Sequence, residues 1–404
     1  MRILFVTQFF YPENFRINDL ARYLAAAGHE VTVLTGLPNY PGGSFFDGYT
    51  RKGPYKEKMD GVNIRRVFVI PRKKGGLWLS LNYLSFVLFG CLEASAMEPS
   101  DYDVIYAFGT SPITQALPAL VLKKMGGVPV ILNVQDLWPD NVEAITGVKN
   151  PVTTGLLDML VDFIYNRCDL VLGTSRSFVK AIKSRCGLKE KRKVVFWPQY
   201  ATVERSSEER RDILPEGYFH IVFTGNVGQG QGLDTLIRAA ALLKEEYEGR
   251  LVFDIVGDGR ARADLMSETK KAGLEDMIRF HGSFPEEEIP GILNTADAAL
   301  LILKDDEIFK RTIPAKLQTY LKCGAPVVGC VCGESRQLIE KYGVGVCAKG
   351  MGAKQLAAAV REVMSLERPQ LEEMGERGAR LSDEMFDRDT LIERLLRYME
   401  ILAG

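Results

Sequence analysis

The feature that most restricts what this chain can fold into is its alternation of short apolar runs with helical patterns, sustained over nearly its whole length. In the first half, residues 3–7, 31–35, 104–108, 130–134, 170–173 and 194–196 are short and rich in Val, Ile, Leu and Phe. They read as strands buried on both faces. Helical stretches lie between them, such as 18–27, stopped by Gly28, and 115–124, stopped by Gly126. The second half repeats the scheme. Strands are expected at 219–224, 251–256, 278–281, 298–303, 325–328 and 345–347, and helices at 233–246, 261–272, 286–295, 314–323, 335–341 and 353–366. Such alternation demands parallel sheets with right-handed crossovers. The expected fold class is therefore α/β, with two doubly wound, Rossmann-like domains facing across a cleft. They span residues 1–200 and 218–386, with the polar stretch 201–217 as linker and one more amphipathic helix at 387–404. Ligands of such sheets bind at the carboxyl ends of the strands, so the cleft is the expected site.

Composition narrows the function. A length of 404 residues suits two or three domains, and 46% apolar with 25% charged residues is ordinary for a globular protein. The formal net charge of −1 argues against a nucleic-acid partner, which needs a basic excess. Seven cysteines form no Cys-x-x-Cys, so neither a disulfide framework nor a zinc site is expected. His29, His220 and His281 are too dispersed in sequence to suggest a metal site. No signal peptide is read at Met1-Arg2, and the apolar stretch 77–92, interrupted by Ser80, Asn82 and Ser85, falls short of the ~20 residues that span a bilayer. A cytoplasmic chain is expected.

Two stretches of the second half can carry chemistry. Residues 224–234 read Thr-Gly-Asn-Val-Gly-Gln-Gly-Gln-Gly-Leu-Asp, directly after a strand and directly before a helix. Gly225, Gly228, Gly230 and Gly232 permit positive φ and close approach of backbone amides to a ligand. The spacing is neither the dinucleotide fingerprint nor the phosphate loop with its Gly-Lys-Ser/Thr ending. A phosphate or diphosphate cradle is the favoured reading, a plain glycine-rich connector the other. In residues 313–328, Pro314 suits the first helical turn and Gly324 its end. Leu317 and Leu321 form a buried stripe, with Lys316, Thr319 and Tyr320 on a neighbouring face. Lys316 is an odd choice, because a cation in the first turn faces the positive end of the macrodipole. A bound phosphate reverses that sign, whereas a solvated lysine escapes it.

Other residues carry paired readings. Asp136, in Asp136-Leu137-Trp138-Pro139-Asp140, follows a strand at its carboxyl end. It can orient or deprotonate an acceptor hydroxyl, or simply cap the next turn. Arg72-Lys73-Lys74 precedes the stretch 77–92, which suits either an anionic membrane surface or a core helix with flanking surface charge. Gly257-Asp258-Gly259 reads as a tight turn, and Asp101-Tyr102-Asp103, at the amino end of a strand, as a solvated loop rather than a metal site.

Residues 314–328, Pro-Ala-Lys-Leu-Gln-Thr-Tyr-Leu-Lys-Cys-Gly-Ala-Pro-Val-Val, together with the glycine-rich loop, resemble glycosyltransferase family 4, of GT-B fold. The runs Gln8-Phe9-Phe10-Tyr11-Pro12-Glu13-Asn14, Gly28-His29-Glu30-Val31-Thr32-Val33-Leu34-Thr35-Gly36 and Pro38-Asn39-Tyr40-Pro41 are similar to those of the subgroup that builds bacterial O-antigen, capsule and colanic-acid repeat units. Gly225-Asn226, Gln231-Gly232-Leu233-Asp234 and the Asp136–Asp140 run fit that subgroup too.

The resemblance implies a retaining, metal-independent transfer, without cofactor, from a UDP- or GDP-linked sugar to a hydroxyl of a lipid-linked saccharide. The enzyme would serve lipopolysaccharide or exopolysaccharide synthesis, peripheral on the inner face of the cell membrane through residues 72–92. By the family's pattern the donor lies on the second domain, over Gly225, Asn226, Gly228, Gln231 and Gly232 and the helix at Pro314. Lys316 and Arg311 would meet its charge, and Thr319 and Tyr320 lie alongside. Pro12, Asn14 and Asp140 fall on the acceptor side, and Asp136 and Lys316 are the catalytic candidates. The chain departs from the family in several places. Asn226 and Gln231 stand where many members have Arg and Lys. Thr319 occupies the place of the ribose-binding glutamate, and Arg311 that of the glutamate eight residues before it. The family's catalytic histidine has no clear equivalent near residues 108–112 or 135–140. Two other functions fit the same residues: a nucleotide-sugar epimerase of the same fold, and a non-catalytic nucleotide-sugar-binding or partner subunit.

Overall fold

The computed structural model describes residues 1–73, 75–140, 151–185 and 187–404, so Lys74 and Cys186 lie outside the described residues. The chain divides into two compact units, Met1–Trp197 with Asp389–Gly404, and Pro198–Arg388.

The first unit holds β1 (Arg2–Val6), β2 (Glu30–Gly36), β3 (Lys56–Met59), β4 (Val62–Val67), β5 (Val104–Gly109), β6 (Val130–Val134), β7 (Leu170–Gly173) and β8 (Val194–Phe196). Their order is β3-β4-β2-β1-β5-β6-β7-β8, parallel throughout except that β3 runs antiparallel to β4. The strand order reverses between β1 and β5, so the carboxyl ends of those two strands mark the position where such sheets take ligands. The β3–β4 hairpin was not anticipated, because Lys-Glu-Lys-Met and Val-Asn-Ile-Arg-Arg-Val carry charge on the outward positions. Its turn was written in the sequence: Asp60 (φ 48°) and Gly61 (φ 82°) form the Asp-Gly pair with both residues left-handed that tight hairpins require.

Helices Gly76–Ser95, Leu117–Gly126, Pro151–Arg167 and Arg176–Ser184 contribute to one core cluster with Leu4, Val6, Ile105, Ala107, Leu132 and Val134 of the strands. Helix Gly76–Ser95 is 20 residues long, more than the apolar stretch suggested and enough by length to cross a membrane. One side of it is nonetheless packed down: Asn82, Ser85, Phe86, Gly90 and Ala94 are buried, and a Cβ on Gly90 would sit 2.9 Å from Pro118. Helix Arg388–Ala403 joins this unit from the far end of the chain. Its Leu391, Ile392, Leu395 and Met399 are buried, and Trp197 Nε1 donates to the Leu391 carbonyl at 2.9 Å.

The second unit holds β9 (Phe219–Thr224), β10 (Leu251–Val256), β11 (Ile278–Gly282), β12 (Ala298–Ile302), β13 (Val327–Cys330) and β14 (Gly345–Cys347). The order β11-β10-β9-β12-β13-β14 is all parallel and doubly wound, with the reversal between β9 and β12. β13 begins two residues later than the apolar run suggested, after Pro326, whose carbonyl accepts from Ala299 N at 2.7 Å. The polar stretch 201–217, expected as a linker, is anchored on this unit: Leu214 is fully buried and Arg210 N donates to Thr295 Oγ1 at 2.7 Å. Helix Arg368–Met385 was also missed. Eight of its 18 residues are charged, and it packs through Gly375 and Gly378 against helix Ala315–Cys323, where a Cβ on Gly375 would meet the Gly324 carbonyl at 2.2 Å.

Candidate functional site

In the second unit the site grows from the end of β9. The chain leaves Thr224 through Gly225 at φ +115°, and passes so close to the next loop that a Cβ on Gly257 would lie 1.9 Å from the Gly225 carbonyl. The turn Gly257-Asp258-Gly259 therefore buttresses the glycine-rich loop, and the Asp258 carbonyl accepts from Val227 N at 2.8 Å. Gly232, at φ +70°, starts helix Leu233–Tyr247 against the backbone of Leu303 and Lys304, and Lys304 N donates to the Gly230 carbonyl at 3.0 Å. The loop is thus held at the reversal point between β9 and β12, as a ligand cradle requires.

Lys316 is the second residue of helix Ala315–Cys323, which Pro314 precedes as N-cap and which has no side-chain cap. Its ammonium lies 3.9 Å from the centre of the Phe223 ring and donates to Gln231 Oε1. A Cβ on Gly225 would stand 3.9 Å from Lys316 Cε, so lysine, loop and first-turn amides converge on one spot. Burial pushes the Lys316 ammonium down to about 7, because removing a charge from water favours its neutral form. An anion placed there supplies the missing counter-charge.

The remaining donor-side candidates are spread around this spot. Asn226 is exposed on the loop, and Gly228 is so close to it that a Cβ would meet the Asn226 amide nitrogen at 3.0 Å. Arg311 ends the short helix Glu307–Arg311 and is half-buried. Thr319 is half-buried, its hydroxyl 3.4 Å from the Ala315 carbonyl one turn back. Tyr320 departs from the expectation of a ligand contact. It is fully buried, accepts from Thr224 N at 2.9 Å and donates to the Leu300 carbonyl at 3.2 Å. Its hydroxyl pins the carboxyl end of β9 to β12, and burial pushes it up to about 12.

In the first unit, polar side chains gather at the carboxyl ends of β1, β2, β5 and β6. Asp136 Oδ2 accepts from Ser111 N at 2.9 Å, and Trp138 Nε1 donates to Ser111 Oγ at 3.1 Å. Gln115 links Gln8 N (2.8 Å) to Thr110, and Gln8 Nε2 donates to Asn82 Oδ1 at 2.7 Å. Pro12 is half-buried, while Asn14 and Asp140 are exposed. Between Pro12 and Asn14, Glu13 is buried. Its carboxylate accepts from the amides of Asn39 (2.8 Å), Tyr40 (2.7 Å) and Phe10 (3.2 Å), clasping the loops after β1 and β2 together. Desolvation nevertheless raises it to about 7 against those amides and Arg66.

Glu13, Arg66 and Phe223 were not singled out by sequence. Glu13 could have been suspected as a carboxylate between Tyr11-Pro12 and a helical pattern, and Arg66 as an arginine on the inward register of β4, where it is buried and donates to the Gly36 (3.1 Å) and Tyr11 (2.5 Å) carbonyls. Asp101 and Asp103 hold no metal-like arrangement; Asp103 Oδ2 accepts from Arg2 N at 2.7 Å, tying the amino ends of β1 and β5. Among the described residues no group of three or more His, Cys, Asp or Glu could hold a metal ion.

Two doubly wound units, one with a glycine-rich loop beside Lys316 at its reversal point, define a two-domain α/β protein. Residues 14–196 match the model of glycosyl transferase 4-like domains, and residues 205–381 that of glycosyl transferases group 1. The chain belongs to these glycosyltransferases, of GT-B fold. It is 26% identical over 366 residues to WcaI of Escherichia coli K12, assigned to glycosyl transfer in colanic acid biosynthesis, covering 86% of this chain and 87% of WcaI. The structure of Anabaena HepE in complex with UDP matches with a TM-score of 0.72 at 16% identity, over 99% of this chain and 100% of HepE. WaaG, a glycosyltransferase involved in lipopolysaccharide biosynthesis, matches at 0.68 and 15%, over 100% of each chain. At such identities the two structures speak for the fold.

Proposed function

We propose that this chain transfers a sugar from a nucleotide-diphosphate sugar to a hydroxyl of a lipid-linked saccharide, in the synthesis of a bacterial surface polysaccharide. The transfer retains the anomeric configuration and uses no metal ion. WcaI supports the polymer class, and HepE with UDP supports a UDP-linked donor ahead of a GDP-linked one. The observation that carries the reading is the Lys316 ammonium, desolvated over Phe223 beside Gly225, Gln231 and the uncapped first turn of its helix.

The chemistry follows from charge. As the glycosidic bond breaks, the nucleotide diphosphate gains negative charge, which Lys316 and the fixed amide dipoles stabilise more in the transition state than in the ground state. Arg311, Asn226 and Thr319 line the donor's surroundings. Asp136, with one oxygen engaged by Ser111 N, orients the acceptor hydroxyl, and Pro12, Asn14 and Asp140 lie on the acceptor side. Residues 72–92 bring the enzyme to the inner membrane face, where a lipid-linked acceptor resides.

Calorimetric titration with a panel of UDP- and GDP-sugars, followed by nucleotide release in the presence of membrane-lipid acceptors, tests this. Binding of one donor and acceptor-dependent release are expected. Isomerised sugar without acceptor would instead mark an epimerase, and binding without release a non-catalytic subunit.

A further inference from the structure

The first unit carries an apolar surface that its core does not use. On helix Gly76–Ser95, Leu77, Leu84, Leu88 and Leu92 are 56–71% exposed, and their spacing of seven, four and four puts them on one stripe. On helix Pro151–Arg167, Val152, Leu156 and Met159 are 62–71% exposed and Phe163 42%, spaced four, three and four, a second stripe. Both helices pack into the same core cluster with helix Leu117–Gly126, which contacts each of them. Their outer sides thus belong to one layer, and Met125 of the middle helix is exposed there too.

The charges around this layer are sorted. Residues 76–92 contain no charged side chain, and beyond the leucines and Trp78 the exposed positions are Gly76 and Ser80. Cations stand at the margins. Lys73 Nζ lies 4.7 Å from the Trp78 ring centre, the Arg167 guanidinium 3.6 Å from that of Phe163, and Lys124 is exposed beside Met125. The carboxylates of these helices are neutralised by partners: Glu93 by Arg65 at 3.3 Å, and Asp158 and Asp162 by Arg185 at 2.7 and 2.5 Å.

We infer that this two-helix face, with Lys73 and Arg167 at its edges, docks on an anionic phospholipid bilayer. Acyl chains accept the uncharged leucine ridges, and lipid phosphates accept the cations held beside aromatic rings at their edges. The inference deepens the proposed function, since a lipid-linked acceptor lies in such a surface. Its new content is that helix Pro151–Arg167 shares the docking with helix Gly76–Ser95.

The test is co-sedimentation of the full chain with phosphatidylcholine vesicles, with and without phosphatidylglycerol. The parent should sediment with the anionic vesicles. Leu156→Gln/Met159→Gln and Leu84→Gln/Leu88→Gln should each reduce the bound fraction by about tenfold, as expected from losing several apolar groups at an interface. Lys73→Glu should weaken binding to the anionic vesicles alone. These positions are exposed, so each variant should keep the parent's melting temperature and its thermal shift with UDP. A parent that stays in the supernatant, or an unchanged Leu156→Gln/Met159→Gln, overturns the inference. So does a concentration-dependent dimer that these variants abolish, which would make the face a contact between copies. Loss of UDP binding in the parent would sink the transferase reading while leaving vesicle binding untouched.

Discussion

At the scale of the residue, Lys316 is in an unfavourable place until a ligand arrives. With its ammonium at about 7, the protein without ligand holds fewer protons there than the unfolded chain between pH 7 and the ordinary lysine range. A bound diphosphate raises that value again, so binding takes up a proton above pH 7. Calorimetry of UDP-sugar binding at pH 8 in buffers of different ionisation heat should detect the uptake, and affinity should fall as pH rises from 7 to 9. Lys316→Met should remove both effects and weaken binding by roughly tenfold or more, in line with losing a charge-assisted bond to phosphate. The same variant should melt higher than the parent without ligand, most clearly below pH 7, where the parent must bury a charged lysine. Equal melting temperatures together with unchanged affinity would return Lys316 to the solvated lysine of the other sequence reading. The sequence could pose that choice, because a lysine in a first helical turn is visible as an anomaly. It could not decide it, because Phe223 and Gln231 come to Lys316 from about 90 residues away in sequence, and nothing local announces that meeting.

At the scale of the element, most strands were legible and the exceptions share a cause. β6, β7, β8, β9, β10 and β14 begin and end where their mainly apolar runs do. The β3–β4 hairpin and helix Arg368–Met385 escaped notice because one side of each faces water, so charge hides the inward register. Burial of Arg66 on β4, and of Gly375 and Gly378 on the helix, depends on tertiary partners rather than on pattern. One cross-strand group has a consequence of its own. His220 at the start of β9 bonds Asp254 of β10 through Nδ1 (2.7 Å) and the Pro215 carbonyl through Nε2 (2.8 Å), while His281 Nε2 bonds the other Asp254 oxygen at 2.7 Å. A carboxylate and a carbonyl can only accept, so both contacts are satisfied together only when His220 carries both ring protons. Burial lowers its basicity, but Asp254 and Pro215 outweigh that and raise its pKa above the ordinary value. A raised histidine stabilises the fold below about pH 6.5 and loses that contribution as pH climbs through its folded value. Asp254→Asn should therefore lower the melting temperature more at pH 6 than at pH 8.5. A loss independent of pH would mean that His220 is neutral in the folded chain.

At the scale of the whole molecule, the two units have separate cores. One cluster gathers residues of the first unit, and the other two gather residues of the second. The ends of the chain belong together in the first unit, because the helix at residues 388–403 returns to it. Leu391, Ile392, Leu395 and Met399 are buried there. At about 2 kcal/mol for each fully buried side chain, they contribute an amount comparable to the 5–15 kcal/mol that holds a whole domain folded. Removing residues 389–404 should then abolish or sharply lower the unfolding transition of the first unit, although the residues lost are almost 200 positions from its other strands. The second unit should keep its transition, because β9 to β14 and the loop beside Lys316 are unaltered. UDP separates the two in the intact chain. At about 100 times its dissociation constant a ligand adds about 2.7 kcal/mol to whatever unfolds with its site. Differential scanning calorimetry should show that addition in the transition of residues 198–388, in the parent and in the truncated chain alike. Lys316→Met should reduce it in both. A single transition that moves as a whole with UDP would contradict the independence of the two cores. A truncated chain that no longer responds to UDP would mean that the donor site needs the first unit to form.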